Sequence, residues 1–231
     1  MANRPVFRPD PSGFPFVKET LVSFQWYSGF AKTQAQKSIA SLHASAARTG
    51  IEPVLEISSK SPLRLGIALS AFNLQLRMGE QPSMSVECAF QGSKVFEHGG
   101  PFTDLYSSTS RTAKQDPRIR NSGELTAFEF LGERFPTQPL TAFYDWLYIT
   151  ALSQNSALAE RLLEYTGFSD IAFNPERSIN CQARSAALFV ALHHRSVIDH
   201  VIRDQDYYLR LITGAETAGS DEPASQLPLW D

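Results

Sequence analysis

The 231-residue sequence has only two cysteines, Cys88 and Cys181, and they lie far apart in the chain. Two isolated cysteines exclude a disulfide framework and a cysteine-based zinc cluster. The five histidines show no spacing that would combine with these cysteines in a metal site. No apolar run approaches the length of a membrane span, and the amino terminus has no signal-peptide pattern. We therefore expect a cytoplasmic protein that has no bound metal, no cofactor and no contact with a membrane.

The sequence also lacks a large excess of charge of one sign. It has 21 Lys and Arg residues against 24 Asp and Glu residues, which gives a formal net charge of −3. A strongly basic protein that coats DNA is excluded, so any contact with nucleic acid is made through a local patch. The densest basic run contains Arg111, Lys114, Arg118 and Arg120, and it fits either a solvated loop or a track for phosphate groups.

The motifs of common nucleotide-binding and hydrolytic enzymes are missing as well. There is no Walker loop, no G-x-G-x-x-G, no G-x-S-x-G and no H-E-x-x-H. The pattern of the chain, taken without any resemblance, indicates only a helical globular domain.

The apolar content bounds the fold. The sequence is 42% hydrophobic and contains 16 Phe, enough for a sizeable core. The periodicity predicts a mainly α single domain with a few short strands over residues 20–213, and α+β with a small sheet is the alternative. Four prolines predict that residues 1–19 form an extended arm, and polar composition predicts a disordered tail over residues 214–231.

One stretch, residues 85–98, separates its polar and apolar residues in a way that suggests a helix. Glu87, Gln91, Lys94 and His98 would fall within about 60° of one another on one face, opposite small and apolar residues. The consecutive glycines at 99 and 100 would end the helix. A polar stripe of this kind is ordinarily a solvated face, and the alternative is a functional site.

The same stretch resembles the signature of the NADAR family. In that signature a Glu is followed by an aromatic-Gln pair and by a Lys seven residues after the Glu, as in Glu87, Phe90-Gln91 and Lys94. Further elements of the family recur downstream in the family's order: Trp146, Gln154-Asn155, Leu162-Leu163 with Thr166-Gly167, and Ile179-Asn180. The resemblance covers roughly residues 20–195.

Two other regions add to the resemblance. Residues 70–73 loosely resemble a Ser-Asn-Phe element that lies upstream in the family. The segment Phe24–Phe30 with Gln36–Ile39 is similar to the NADAR subgroup that is paired with DarT-type DNA-modifying toxins.

The resemblance implies an N-glycosidase that removes ADP-ribose from guanine in DNA and so acts as an antitoxin. Its implied partners are ADP-ribosylated DNA, ADP-ribose and a cognate DarT-type toxin. Two alternatives stay open: a non-catalytic antitoxin module that binds ADP-ribose or the toxin, and an N-glycosidase that acts on a riboflavin-pathway intermediate.

The resemblance also implies roles for individual residues. Lys94 would be the nucleophile, capturing the anomeric carbon of the ribose as a Schiff base. For this its amine must be neutral, so its pKa must fall from about 10.4. Glu87 would bind ribose hydroxyl groups or act as a general acid or base. The implied substrate-binding residues are Trp146, Asn73, Phe72, Gln91 and Asp170.

The chain departs from the family pattern at one point. NADAR proteins usually carry an Asp followed by Trp-Gly before the last helix, and the segment from residue 170 to 177 has no Trp-Gly. The acidic residue of that position would be Asp170 or Glu176, or it is missing.

Overall fold

The computed structural model describes residues 1–79, 82–174 and 178–215. These residues form strands arranged in three sheets, together with α-helices and one 3₁₀ helix at Thr103–Ser107. The strands are β1 (Ala2–Pro9), β2 (Val17–Phe24), β3 (Val54–Glu56), β4 (Gln75–Leu76), β5 (Met84–Ser85), β6 (Lys94–Phe96), β7 (Leu125–Phe130), β8 (Glu133–Phe135) and β9 (Gly167–Ser169). The helices are α1 (Lys32–Arg48), α2 (Arg64–Ala68), α3 (Val86–Gly92), α4 (Ser110–Gln115), α5 (Arg118–Asn121), α6 (Ala142–Ser153), α7 (Ser156–Leu162), α8 (Gln182–His194), α9 (Ile198–Arg203) and α10 (Gln205–Thr213).

The fold is a mixture of helices and sheets, so the α+β alternative describes it better than the mainly α expectation. The largest sheet has the strand order β2-β1-β9-β3, the second consists of β4 and β5, and the third has the order β6-β7-β8. The strand β9 pairs in parallel with β3 and antiparallel with β1. Short strands that pair across such distances in the chain leave little local pattern, and this is why the sheet content was underestimated.

The amino-terminal segment is extended, and it is paired within the largest sheet. The strand β1 pairs with β2 from Ala2 opposite Phe24 to Pro9 opposite Val17. Val6 and Phe7 of β1 are buried, and β2 continues across the domain boundary that we expected at residue 19. Of the predicted tail, residues 216–231 lie outside the described residues.

The stretch 85–98 is not one helix, and this expectation was wrong. Helix α3 ends at Gly92, and Lys94 begins strand β6, where it pairs with Phe128 of β7. A Cβ at Gly92 would lie 2.5 Å from the ring of Tyr106, so glycine permits this ring to pack closely against the last residue of the helix. His98 lies in the turn after β6, where its side chain is exposed and is not part of a helical face.

The core is built around α6, which is buried along nearly its whole length. Phe143 of α6 stacks on Phe128 with ring centroids 4.8 Å apart and also contacts Phe135, so the helix packs on the third sheet. The helices α3 and α8 also pack against α6. Among the helices of the described ranges, none has both the length and the apolarity required to cross a bilayer.

Candidate functional site

A cavity of about 640 Å³ is bordered by α3, the third sheet, α6, the turn before β4, and the segment that leads into the first residue of α8. Its volume lies within the range of about 300–1,000 Å³ that is typical of small-molecule sites. Its aromatic wall is formed by Phe72, Phe90, Phe128, Tyr144 and Phe173. Charged side chains line the same cavity: Glu87, Lys94, Lys114 and Asp170.

Glu87, Gln91 and Lys94 form one hydrogen-bonded chain along the cavity wall. The Lys94 amine donates to Gln91 Oε1 at 2.8 Å, and Gln91 Nε2 donates to Glu87 Oε1 at 2.9 Å. Glu87 and Gln91 lie on consecutive turns of α3, whereas Lys94 reaches back to them from the start of β6. The amide of Gln91 therefore fixes the amine and the carboxylate on the same side of the cavity without bringing them into direct contact.

Burial changes the protonation of Lys94. The amine lies 4.6 Å from the centroid of the Phe90 ring, and desolvation lowers the pKa of Lys94 from 10.5 to about 8. The negative charge of Glu87 acts in the opposite direction, and the positive charge of Lys114 lowers the pKa further. About a tenth of the Lys94 side chains are then neutral at pH 7, which is far more than for an exposed lysine.

Lys114 of α4 contributes a second cation to the cavity. Its amine lies 3.9 Å from Glu87 Oε1 and 5.2 Å from the centroid of the Phe72 ring, and the side chain is 58% exposed. Its neighbour in the basic run, Arg118, is bound by Asp104 and Asp116. Lys114 is thus the member of the run that lines the cavity, and Arg118 is held in a surface ion-pair network.

Asp170 lies on another wall of the same cavity. Its Oδ1 accepts from the backbone N–H of Ala172 at 2.9 Å, and its Oδ2 accepts from Gln182 Nε2, also at 2.9 Å. Gln182 donates in addition to the carbonyl of Ile57 and accepts from the backbone N–H of Ala71. This one amide joins three separate segments around the cavity, and its position at the first residue of α8 carried no recognisable signal in the sequence.

The structure brings Phe72 to the cavity and gives Asn73 a different position. The Asn73 side chain is exposed and donates to the carbonyl of Ile67 and to Ser70 Oγ, both at 2.9 Å. It stabilises the turn that presents Phe72. The acidic alternative Glu176 lies outside the described residues.

Trp146 is not brought together with Lys94. It is 8% exposed, its indole N–H donates to the carbonyl of Val201 at 3.2 Å, and its ring lies 5.0 Å from that of Phe135. It lines a second cavity of about 750 Å³, together with Met78 and Ile202. The implied role of Trp146 in substrate binding therefore has no geometric support, and its contacts are those of a core residue.

Two other cavity residues were not assigned a role from the sequence. The Tyr144 ring meets that of Phe90 edge-on at 5.1 Å. Asn180 also lines the cavity, and its Oδ1 is buried without a hydrogen-bond partner among the described residues. A buried acceptor of this kind is normally satisfied, so Asn180 is suited to accept from an N–H group of a ligand. Within the described ranges no group of three or more His, Cys, Asp or Glu side chains is arranged to hold a metal ion.

Comparison with known families supports the resemblance. The family described as NADAR-DarT1, the DarT1-associated NADAR antitoxins, matches residues 2–222. This match confirms the resemblance to the NADAR family and extends it to the β1–β2 hairpin. No curated protein matches the sequence.

Proposed function

The chain belongs to the family of DarT1-associated NADAR antitoxins, and we propose that it is an N-glycosidase that removes ADP-ribose from guanine in DNA. By doing so it would reverse the modification made by a DarT-type toxin. The observation that carries this proposal is the Lys94 amine, whose pKa is lowered to about 8 in the wall of a cavity large enough for a nucleotide.

The first step uses the lone pair of the neutral Lys94 amine. The amine attacks the anomeric carbon of the ribose that is attached to the base. The bond from that carbon to the base nitrogen breaks, its electron pair moves to the nitrogen, and the nitrogen takes a proton from a carboxyl group of the cavity wall. The hydrogen bond from Lys94 to Gln91 Oε1 uses one amine hydrogen and orients the amine for this attack.

The second step releases the product. The Lys94 nitrogen, now bound to the anomeric carbon, loses a proton. The ring oxygen then leaves the anomeric carbon and takes up a proton, and a Schiff base forms. Water then adds to this carbon, the Lys94 amine departs, and one proton is released to a base in the site. Glu87, buried and fixed by Gln91, is placed to bind the ribose hydroxyl groups and to move these protons.

Other groups of the cavity suit the remaining parts of the substrate. Lys114 supplies a partly exposed cation for the diphosphate, at the side of the cavity where Phe72 lies. The ring of Phe72 offers a face for stacking a base. The Oδ1 of Asn180, which has no hydrogen-bond partner among the described residues, can accept from an N–H group of a nucleobase.

A release assay tests the proposal. An oligonucleotide that carries ADP-ribosylated guanine is incubated with the protein, and free ADP-ribose and the restored DNA are measured by mass spectrometry. We expect the wild-type protein to release ADP-ribose and Lys94→Ala to release none. Lys37→Ala, which changes an exposed lysine on α1, is the matched control and should behave as the wild type.

Trapping with cyanoborohydride tests the covalent step separately. Reduction during turnover should attach ADP-ribose to Lys94 in the wild-type protein and in Lys37→Ala, and peptide mapping identifies the modified residue. Turnover by Lys94→Ala at the wild-type rate would refute the assignment of Lys94 as the nucleophile. A folded wild type that protects cells from the toxin without releasing ADP-ribose would favour the non-catalytic antitoxin, and release from a riboflavin-pathway intermediate alone would favour the metabolic alternative.

A further inference from the structure

Two tyrosines that are completely buried in the core have hydroxyl groups with a partner in the protein. Tyr148 Oη donates to the carbonyl of Leu69 at 2.8 Å, and Tyr208 Oη donates to the carbonyl of Ala142 at 2.9 Å. Such pairing is the rule, because a buried hydroxyl group that has lost its water must form a hydrogen bond elsewhere. The fold itself therefore accounts for both of these hydroxyl groups.

The buried carboxyl group behind Asp170 is satisfied in the same way. Glu56, at the end of β3, is 1% exposed. It accepts from Ser169 Oγ at 2.6 Å, from Ser58 Oγ at 2.7 Å and from the backbone N–H of Ile171 at 2.9 Å. These bonds hold the backbone on both sides of Asp170, so the contacts of Glu56 are those of a residue that supports the cavity wall.

Tyr144 of α6 departs from this rule. It is 5% exposed and lines the cavity, and its hydroxyl group forms no hydrogen bond within the described ranges of the chain. Its ring packs edge-on against Phe90, and the Lys94 amine lies 4.6 Å from the centroid of that same ring. An unpaired hydroxyl group in the wall that carries the proposed nucleophile indicates that a ligand atom is its partner.

The charges around Tyr144 define the kind of partner. Burial raises the pKa of Tyr144 well above that of an exposed tyrosine, and the negative charges of Glu87 and Asp170 raise it further. The phenol therefore keeps its proton at physiological pH and can both donate and accept a hydrogen bond. Because Glu87 is assigned to the ribose hydroxyl groups, a neutral hydroxyl group that senses its charge is suited to an oxygen of the same sugar.

The proposed substrate carries two sugars on one guanine. The base is bonded to the deoxyribose of the DNA strand and to the ribose of the ADP-ribosyl group, and only the second of these bonds is to be cleaved. The sugars differ next to the anomeric carbon, where ribose has a 2-hydroxyl group and deoxyribose has none. A site that forms a hydrogen bond with this group rejects the sugar that lacks it, because the polar group of the site would then stay unpaired.

We propose that the Tyr144 hydroxyl group forms a hydrogen bond with the 2-hydroxyl group of the ADP-ribosyl ribose and so selects this sugar over the deoxyribose of the DNA. This inference rests on the proposed glycosidase function. Tyr144 and the Lys94 amine contact the same Phe90 ring, so the hydroxyl group belongs to the part of the wall from which Lys94 attacks. Hydrogen bonds to a 2-hydroxyl group strengthen in the transition state of glycoside cleavage, so the contact should also raise the rate.

The binding of two ligands tests the inference without turnover. ADP-ribose, and an analogue that lacks the 2-hydroxyl group of the terminal ribose, are titrated into the protein by isothermal calorimetry. We expect the wild type to bind ADP-ribose about tenfold more tightly than the analogue. Tyr144→Phe should bind both ligands with the affinity that the wild type has for the analogue, because it lacks only the hydroxyl group.

Tyr208→Phe is the matched control, since it also removes one buried hydroxyl group. It loses the hydrogen bond to Ala142, so its melting temperature should fall while its preference for ADP-ribose stays that of the wild type. Tyr144→Phe loses no hydrogen bond among the described residues, so its melting temperature should be at least that of the wild type. The two variants thus separate the loss of a ligand contact from the loss of stability.

The outcomes also separate the inference from the function on which it rests. A folded Tyr144→Phe that prefers ADP-ribose as strongly as the wild type would overturn the role of Tyr144, even where the wild type releases ADP-ribose from DNA. A wild type that binds both ligands equally would overturn it too. A wild type that prefers ADP-ribose through Tyr144 but releases none from modified DNA would refute the glycosidase and support the contact with the sugar.

Discussion

Replacing Lys94 with Met should make the protein more stable at neutral pH while abolishing the proposed glycosidase activity. Methionine keeps an apolar stem of similar length and removes the amine, which is partly buried and lies 4.6 Å from the centroid of the Phe90 ring. In the folded chain the pKa of Lys94 is about 8, against 10.5 for an exposed lysine. This difference corresponds to an unfavourable contribution of roughly 3 kcal/mol to folding at pH 7.

Part of this gain is offset by the contact that the substitution removes. Gln91 Oε1 accepts from the Lys94 amine, and leaving this acceptor without its partner costs about 1–2 kcal/mol. The expected net increase in the free energy of unfolding at pH 7 is therefore about 1–2 kcal/mol. A residue that weakens the fold in exchange for a reactive group is a common feature of active sites.

The pH dependence of this difference is the sharper test. Below pH 8 the amine is protonated in both the folded and the unfolded chain, so the whole penalty is present. Between about pH 8 and 10.5 the folded chain has lost the proton and the unfolded chain still binds it, so the stability of the wild type rises with pH. The advantage of Lys94→Met should thus shrink over this interval and reverse within it, at about pH 9.

Urea unfolding, followed by tryptophan fluorescence at pH 7, 8, 9 and 10, measures the difference. Lys37→Met changes an exposed lysine and should show no such dependence on pH relative to the wild type. A difference between Lys94→Met and the wild type that stays constant from pH 7 to 10 would refute the argument, because it would mean that the amine keeps an ordinary pKa in the folded protein.

Three further substitutions probe the cavity and its surroundings. Lys114→Met removes the charge that lowers the pKa of Lys94, so the acidic limb of the pH–rate profile should move towards base and KM for the modified DNA should rise; an unchanged limb would argue against the coupling. Glu87→Gln removes the charge that raises the pKa of Lys94, so the acidic limb should move towards acid while kcat falls about 10²–10⁴-fold. A kcat near that of the wild type would exclude a role of Glu87 in proton transfer. Trp146→Phe loses the hydrogen bond to Val201 and some packing, so the free energy of unfolding should fall by about 1–3 kcal/mol with KM unchanged. A large rise in KM in steady-state kinetics would instead indicate that Trp146 contacts the substrate.

The local sequence was sufficient to predict which groups of one short segment would line a common cavity. The order Glu87, Phe90-Gln91 and Lys94 predicted the family, and the family match confirmed it. It also predicted that the lysine and the carboxylate would share a hollow, and both line the same cavity. These residues are close in the chain, so a short motif is enough to bring them together whatever the exact path of the backbone between them.

The periodicity of the same stretch led to the wrong local structure. A helical stripe accounts for the polar spacing through residue 98, but Lys94 lies on a strand because its backbone pairs with β7, more than thirty positions further along the chain. Pairing with a distant strand overrides local helical periodicity, and a single sequence contains no record of that partner.

The sequence by itself determined that a carboxylate, an amide and an amine lie near one another, since Glu87, Gln91 and Lys94 belong to one short segment of the chain. Only the tertiary structure decided how those groups behave. Several features depend on residues that are far apart in the chain. They are the lowered pKa of Lys94, the placement of Glu56 behind Asp170, the linking of three segments by Gln182 and the burial of Trp146 in the core. Desolvation and long-range packing are properties of the assembled fold, because both arise from every segment that surrounds a group and not from its neighbours in sequence.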